Sequence, residues 1–346
     1  LSLATALKSG DAGLLPSKRD EDWKWTDLRG LLRVLPPPSP PSEAALTAGP
    51  FGDLGEIEVG IVNGRLRGDA SALILKPGEK RVVRLRFVAQ SADSSHSVQL
   101  AIQLGKGADL TLLESYEGLA GGYVADAALD ISLAKGAALE RIVVAADGEG
   151  AVSVSSTQVA LGPEARFAQT LLTDGAKRQR IETHVAHPGA GASVRLDGVY
   201  LLSGQHHADL TTMVEHGGVD GTTDQLTKGV VRGQSRGVFQ GRIVVEEGAD
   251  RTDARMRHNA LILSDRAEVD AKPELLIFAD DVQCAHGNTI GALDEEALFY
   301  MRQRGLPETE ARALLIEAFV GQVIERIAYE PAREVARAWA AHRLRA

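Results

Sequence analysis

Gly107-Ala108-Asp109-Leu110 is echoed by Gly136-Ala137-Ala138-Leu139, by Glu164-Ala165-Arg166-Phe167 and by Gly191-Ala192-Ser193-Val194. The alanines stand at 108, 137, 165 and 192, so the steps are 29, 28 and 27 residues. Ala249 follows after 57, about two more steps. Between these turns run short segments rich in Val, Ile and Leu, such as Arg81-Val82-Val83-Arg84-Leu85-Arg86-Phe87-Val88 and Ala128-Leu129-Asp130-Ile131-Ser132-Leu133. They alternate apolar and polar, the period of a strand. A repeat of this length made of strands and turns predicts a β-solenoid over residues 56–291, in which each coil buries its face only against its neighbours. A β-sandwich with evenly spaced hairpins is the competing architecture. A solenoid has two ends, and an uncovered end or flank is a row of open backbone donors and acceptors. The segments on either side of the repeat are the candidate caps.

Residues 1–35 read as mixed helix and loop. Within them Arg19-Asp20-Glu21-Asp22-Trp23-Lys24-Trp25 is dense in charge, yet holds two of the three tryptophans. Exposed indole is unusual, so both rings are expected to dock, on this chain or on a partner. Residues 36–55 begin with Pro36-Pro37-Pro38-Ser39-Pro40-Pro41-Ser42, a stiff extended linker, because proline fixes φ and removes a donor. Residues 292–346 read as helical. Asp294-Glu295-Glu296 suits a helix start, Gly305 a helix end and Pro307 the first turn of the next helix. Leu314, Leu315, Ala318, Phe319, Val323, Ile324 and Ile327 then trace an apolar stripe at helical spacing, either core or a partner site. Pro331 is expected to break that helix before a basic amphipathic end.

The chain has 346 residues, 44% of them hydrophobic but only 4% aromatic, so its core must be built from Ala, Val, Ile and Leu. Acids outnumber bases by 47 to 38, a net charge of −9, which argues against nucleic acid as the main partner. No apolar run reaches the length of about eighteen residues that spans a membrane. Leu1-Ser2-Leu3-Ala4-Thr5 shows no charged region leading into an apolar run, so no secretory signal is expected. Cys284 is the one cysteine and can form no internal disulfide; a cytoplasmic protein is the simplest expectation.

Several motifs resemble chemistry. Gly233-Gln234-Ser235-Arg236-Gly237 fits the nucleophile-elbow pattern, with His216-Gly217-Gly218 as a would-be oxyanion loop. The elbow needs a helix after the serine, whereas strand-like Val238–Val245 follows, so the match is read as chance. No P-loop and no H-E-x-x-H occur. His184 and His187 are an odd step apart, as are the adjacent His206 and His207, and on a strand an odd step turns side chains to opposite faces. Cys284-Ala285-His286 differs: residues two apart on a strand share a face. A thiolate beside an imidazole is a soft metal-binding pair, with Asp280 and Asp281 near. A closed site needs about four ligands, so a partner chain must complete it; otherwise Cys284 is a core cysteine beside an incidental histidine.

Lys272-Pro273-Glu274-Leu275-Leu276-Ile277-Phe278-Ala279-Asp280-Asp281-Val282-Gln283-Cys284-Ala285-His286-Gly287-Asn288-Thr289-Ile290-Gly291-Ala292-Leu293-Asp294 closely resembles the signature of the SufB/SufD family of iron–sulfur cluster assembly. The similarity is dense over residues 237–305. It includes Gly237-Val238-Phe239-Gln240-Gly241-Arg242-Ile243 and Asn259-Ala260-Leu261-Ile262-Leu263-Ser264 and, near the start, extends to Arg19-Asp20-Glu21-Asp22-Trp23-Lys24-Trp25-Thr26-Asp27-Leu28. The C-x-H-G signature and the W-K-W-T segment resemble the SufD members. The resemblance implies a mainly β protein: a right-handed parallel β-helix with a small N-terminal segment and a helical C-terminal domain. It implies a non-catalytic scaffold in complex with SufB, a paralogue, and with SufC, an ABC-type ATPase that grips the C-terminal helices. In that family the SufB–SufD interface is a proposed site of nascent cluster assembly, and Cys284 and His286 match the positions SufD contributes. No cofactor is then held stably by this chain alone, and a transient cluster forms at the interface. An isolated chain could pair with a second copy through an open edge. The chain is short for the family, chiefly before the solenoid. The rival readings are a β-helix enzyme acting on carbohydrate, which would need an aromatic-lined groove, a serine hydrolase through Ser235, and a purely structural homo-oligomer.

Overall fold

The computed structural model describes residues 2–118, 121–187 and 189–345. Leu1 and Ala346, the outermost residues of the segments expected at 1–35 and 292–346, lie outside the described residues.

The chain alternates strand by strand between two sheets, one of ten strands and one of eight. Nearly every pairing is parallel and joins a strand to the one two further along, as Asp109–Gly118 pairs with Ala138–Ala146 and that with Arg166–Thr173. The exception is the short antiparallel pair Ile57–Val62 and Arg65–Arg67. This is the expected stacked solenoid and not a sandwich of hairpins. Between the sheets, inward-facing Val, Leu and Ile form one continuous core.

The repeated turn is the corner that leads from the eight-stranded to the ten-stranded sheet. Gly107, Gly136, Glu164, Gly191, Asp220 and Arg251 all take the left-handed conformation there, with φ between 57° and 68°. Each donates its N–H to the next coil: Gly107 to Lys135 O, Gly136 to Pro163 O, Glu164 to Ala190 O, Gly191 to Val219 O, Asp220 to Asp250 O and Arg251 to Asp281 O. Glycine enters this region at no steric cost, yet three of the six are not glycine; the interlocked stack holds them there. This blurs the motif in sequence. Ala249 is buried in a turn of the same form, but the ladder passes through Arg251, because that corner carries inserted residues.

The two sheets differ outside. The outer face of the ten-stranded sheet is covered by helices Glu308–Ile324 and Glu330–Arg345, so its strands are apolar on both faces: Leu113, Ile142, Val144, Val199 and Leu226 meet Ile316, Val320, Val323 and Trp339. Within the expected stripe, Val323, Ile324 and Ile327 are buried as core, but Ile316 and Val320 complete that face, and Leu314 and Ala318 face solvent. Pro331 does not break a helix; it lies in the first turn of the last one, where its missing N–H has no cost. Asp294 caps helix Glu295–Gln303 by accepting from Glu296 and Ala297 N–H, and Gly305 (φ 90°) follows it, as the sequence indicates.

The N-terminal segment packs on the outer face of the eight-stranded sheet, where Leu3, Ala6, Leu15 and Leu28 meet Val124, Val152 and Val154. Trp23 docks on this chain: the Arg180 guanidinium lies 4.2 Å from its ring. Arg180 also donates to Asp209 at 2.6 Å and to the Asp22 carbonyl at 2.6 Å. The Pro-rich stretch runs against the solenoid, with Ser39 N–H donating to Ser95 O and Ser95 N–H to Pro37 O. The helical flanks therefore cover faces, where the apolar area lies, while the Pro-rich stretch pairs with Ser95 on the stretch of Ser95–Leu104 that Ile74–Leu75 leaves unpaired, and so caps part of the tapered end.

Polar side chains also cross the interior. Arg141, fully buried, donates to both oxygens of buried Glu114 (2.6 and 2.7 Å) and to Gln169 at 2.6 Å, and Gln169 reaches Thr183 at 3.1 Å. His187 and His216, also fully buried, stand with ring centres 3.9 Å apart.

Two predictions follow from these interior groups. Removing one partner of a buried ion pair strands the other charge, so Glu114→Ala is expected to lose about 3–5 kcal/mol in denaturant unfolding, whereas the paired change Glu114→Leu with Arg141→Met should recover most of it. The second concerns acid. Burial pushes His187 down to about 4 and His216 to about 3, the latter helped by its neighbour. Unfolded histidine protonates near 6.5, so between that pH and about 4 the unfolded state binds more protons. The stability is complete above about pH 6.5 and falls as pH drops, by up to about 1.4 kcal/mol per pH unit for each histidine. Urea midpoints at pH 7 and 5 should show the fall, and His187→Leu with His216→Leu should lessen it without abolishing it, because burial lowers His96, His207 and His258 as well; an equal slope in that variant would mean that the pair titrates like exposed histidine.

Candidate functional site

The two ends of the solenoid are unlike. At one end the sheets finish in Arg65–Arg67 and Ile74–Leu75, strands of three and two residues. At the other they finish in Glu268–Ile277 and Val282–Gly291, ten residues each, with nothing among the described residues paired beyond them. Short edge strands are a common protection against further pairing, and long ones a template for it. Leu276, Ile277, Phe278 and Ile290 are exposed around this end, Phe278 to 61%.

Cys284 and His286 lie on the last of these strands. Cys284 pairs with Ala254 and His286 with Met256 of Thr252–Ile262, and both partners face the core. Cys284 and His286 therefore share the inward face, as two-residue spacing on a strand requires. They sit at the mouth of the interior, Cys284 half-buried against the core and His286 exposed. Asp280 and Asp281 lie exposed in the corner before the strand. Among the described residues no three His, Cys, Asp or Glu side chains converge as a metal site, so this chain presents two donors at an open rim.

Burial pushes the Cys284 thiol upward; Asp253 adds to this, while the Ala254 backbone N–H opposes it. The thiol is thus protonated near neutral pH. A metal or a positive partner group must displace that proton before the sulfur can ligate.

The other motifs fall elsewhere. The buried Ser235 hydroxyl donates to Arg232 O (2.9 Å) and accepts from Arg232 N–H (3.2 Å), which closes a turn between two strands. It is occupied by backbone, and no helix follows it. His184 and His187 do point to opposite faces. His206 Nδ1 donates to Asp174 O (2.8 Å), and His207 Nε2 donates to the Trp25 carbonyl at 3.1 Å.

Sequence reasoning missed one row that ends at this mouth. The Tyr200 hydroxyl lies 2.9 Å from His258 Nε2, and His258 Nδ1 lies 2.7 Å from Asn288 Oδ1. His258 and Asn288 are 30 residues apart, one coil. Laying successive coils over one another in register would have placed them together; reading single motifs could not.

The comparisons agree with this geometry. Residues 87–319 match the family model described as the SUF system FeS cluster assembly SufBD core domain. The chain is 32% identical over 228 residues to the iron–sulfur cluster assembly protein SufD of Escherichia coli, covering 65% of this chain and 54% of that protein. It is 29% identical over 238 residues to an iron–sulfur cluster assembly SufBD family protein of Synechocystis, covering 66% and 52%. It is 27% identical over 288 residues to the chloroplastic protein ABCI7 of Arabidopsis thaliana, covering 80% and 61%. The chain thus spans about half to three-fifths of the length of the curated relatives it matches. Among the described residues no helix is long and apolar enough to cross a membrane. With a family match over more than half its length, on a parallel solenoid that carries its cysteine and histidine at an open end, this chain belongs to the SufBD family of iron–sulfur cluster assembly proteins.

Proposed function

We propose that the chain is a non-catalytic scaffold subunit of a SufB–SufC–SufD type complex, and that its open solenoid end is where a SufB-like paralogue joins it. The observation that carries this reading is the pair of bare ten-residue edges with Cys284 and His286 facing the rim between them. A second solenoid docked there satisfies the free backbone groups and covers the apolar rim. Its own side chains supply the remaining donors of the roughly four that a cluster needs. The iron–sulfur cluster is cargo, assembled at the seam and passed on. A second copy of this chain can use the same edges when the paralogue is absent. The single, unpaired cysteine suits a reducing cytoplasm.

The SufC-like ATPase docks on the helical domain. Helix Glu295–Gln303 presents Phe299 and Tyr300, 63% and 58% exposed, and the following helix exposes Leu314. Such exposed apolar side chains mark an interaction surface. The ATP is bound and hydrolysed by that partner, and closure of the ATPase pulls on these helices and shifts the seam.

Co-expression with SufB-like and SufC-like proteins of the same source is expected to yield one complex by affinity capture and size exclusion. Failure to associate, with all three folded, refutes the scaffold reading. Within the complex, Cys284→Ala and His286→Ala should each reduce cluster assembly severalfold without dissociating the subunits; undiminished assembly in both would remove them as ligands. Phe299→Asp with Tyr300→Asp should release the ATPase while the paralogue stays bound, and retention of the ATPase would move its docking site elsewhere.

A further inference from the structure

The mouth that holds Cys284 and His286 carries a third polar group, and its orientation is set from within. Asn288 shares the inward face of its strand with His286 and is exposed at the rim. Two residues along a strand is roughly 6.7 Å, so one small guest can touch both side chains. The Asn288 Oδ1 faces His258 Nδ1 at 2.7 Å. A carbonyl oxygen can only accept, so Nδ1 carries the proton of the neutral ring and Nε2 is left as acceptor for the Tyr200 hydroxyl, 2.9 Å away. The order is therefore Tyr200 O–H to His258 Nε2, then His258 Nδ1–H to Asn288 Oδ1.

This row is rigid. Tyr200 and His258 are fully buried, and the His258 ring stacks on Phe239 with ring centres 4.6 Å apart and planes 2° from parallel. Tyr200 lies where Gly229 and Gly237 leave room: a Cβ on Gly229 would stand 1.8 Å from the phenol ring. Burial pushes His258 down to about 4, so it stays neutral. With Oδ1 held inward, both Nδ2 hydrogens of Asn288 are turned to the mouth, and they find no acceptor among the described residues.

The inward faces of the last two strands carry no acidic side chain; Asp280 and Asp281 lie outside them, exposed in the corner before the last strand. The inward positions of the last two strands are Val269, Ala271, Pro273, Leu275 and Ile277 on one side, and Val282, Cys284, His286, Asn288 and Ile290 on the other. No carboxylate is among them. A guest here meets N–H donors, a thiol and an imidazole, which suits an anion.

We propose that Asn288 is the anion-holding group of this mouth, its amide turned by Tyr200 and His258 so that Nδ2 donates to a sulfide held beside His286. Tyr200 and His258 are positioning residues. The inference rests on the assembly role proposed above and adds the group that retains sulfur. Asn288→Asp isolates it, because the carboxylate still accepts from His258 while presenting oxygen and negative charge in place of N–H.

Two measurements test it. Long-range nitrogen–proton NMR on the full chain, labelled at histidine, should show His258 as the Nδ1–H tautomer; an Nε2–H tautomer would mean that the amide is turned the other way, and would overturn the proposal. In the complex with the SufB-like and SufC-like partners, loaded with ferrous iron and sulfide and then desalted, Asn288→Ala and Asn288→Asp should each lower retained acid-labile sulfide about tenfold, as loss of a hydrogen bond to a charged acceptor predicts. Wild-type retention in both Asn288 variants, with loss in Cys284→Ala and His286→Ala, would sink this inference and leave the assembly role standing. Retention unaffected by all four would sink both.

Discussion

A coil of parallel strands satisfies none of its ladder N–H and C=O groups by itself; they are shared between the coil before it and the coil after it. Everything else in this molecule follows from that dependence. It fixes the register, since each left-handed corner residue must donate to the corner one coil further on. It tolerates Glu164, Asp220 and Arg251 in a backbone region meant for glycine, because release from the ladder would strand their N–H groups. It also means that the stack cannot simply stop. One end tapers into strands of two and three residues, and the other leaves two full edges open.

The two faces are treated differently from the ends. The C-terminal helices seat on the ten-stranded sheet through Ile316, Val320 and Val323. Charged groups anchor their linking turn, where Arg326 reaches Asp224 at 2.7 Å and Glu140 accepts from Ala328 and Tyr329 N–H. The N-terminal segment is held to the opposite face by the Trp23–Arg180–Asp209 contact. The N-terminal segment touches a long edge strand through Glu21, which accepts from Lys272 at 2.8 Å, and among the described residues neither segment pairs its backbone with the two long edges. The consequence is a stack whose two sheets are covered by the flanking segments and whose long-edged end carries Cys284 and His286.

Buried polar groups also cross the interior. The Glu114–Arg141 pair, the His187–His216 pair and the Tyr200–His258–Asn288 row all cross the interior. Such groups add little net stability, but they allow few alternative packings, because each has one geometry in which its partners are satisfied. In a core of small aliphatic side chains, they help to fix which coil lies on which.

The sequence by itself determined the solenoid. The steps of 29, 28 and 27 residues and the alternating strands are local patterns, and each coil contacts only its neighbours, so local pattern and architecture coincide. The Cys284–His286 pair was legible for the same reason: a shared face two residues apart is a property of any strand. Helix starts and ends were legible through Asp294 and Gly305, whose roles are short-range. Only the tertiary structure decided which surfaces the flanking segments cover, since the stripe around Leu314 is apolar on more than one side and the sheet selects Ile316 and Val320. It alone joined Tyr200, His258 and Asn288, because hydrogen bonds across coils depend on insertions in the corners, and the corner before Arg251 breaks the simple count. It alone left one end open, for an edge is bare only with respect to what does not fold over it.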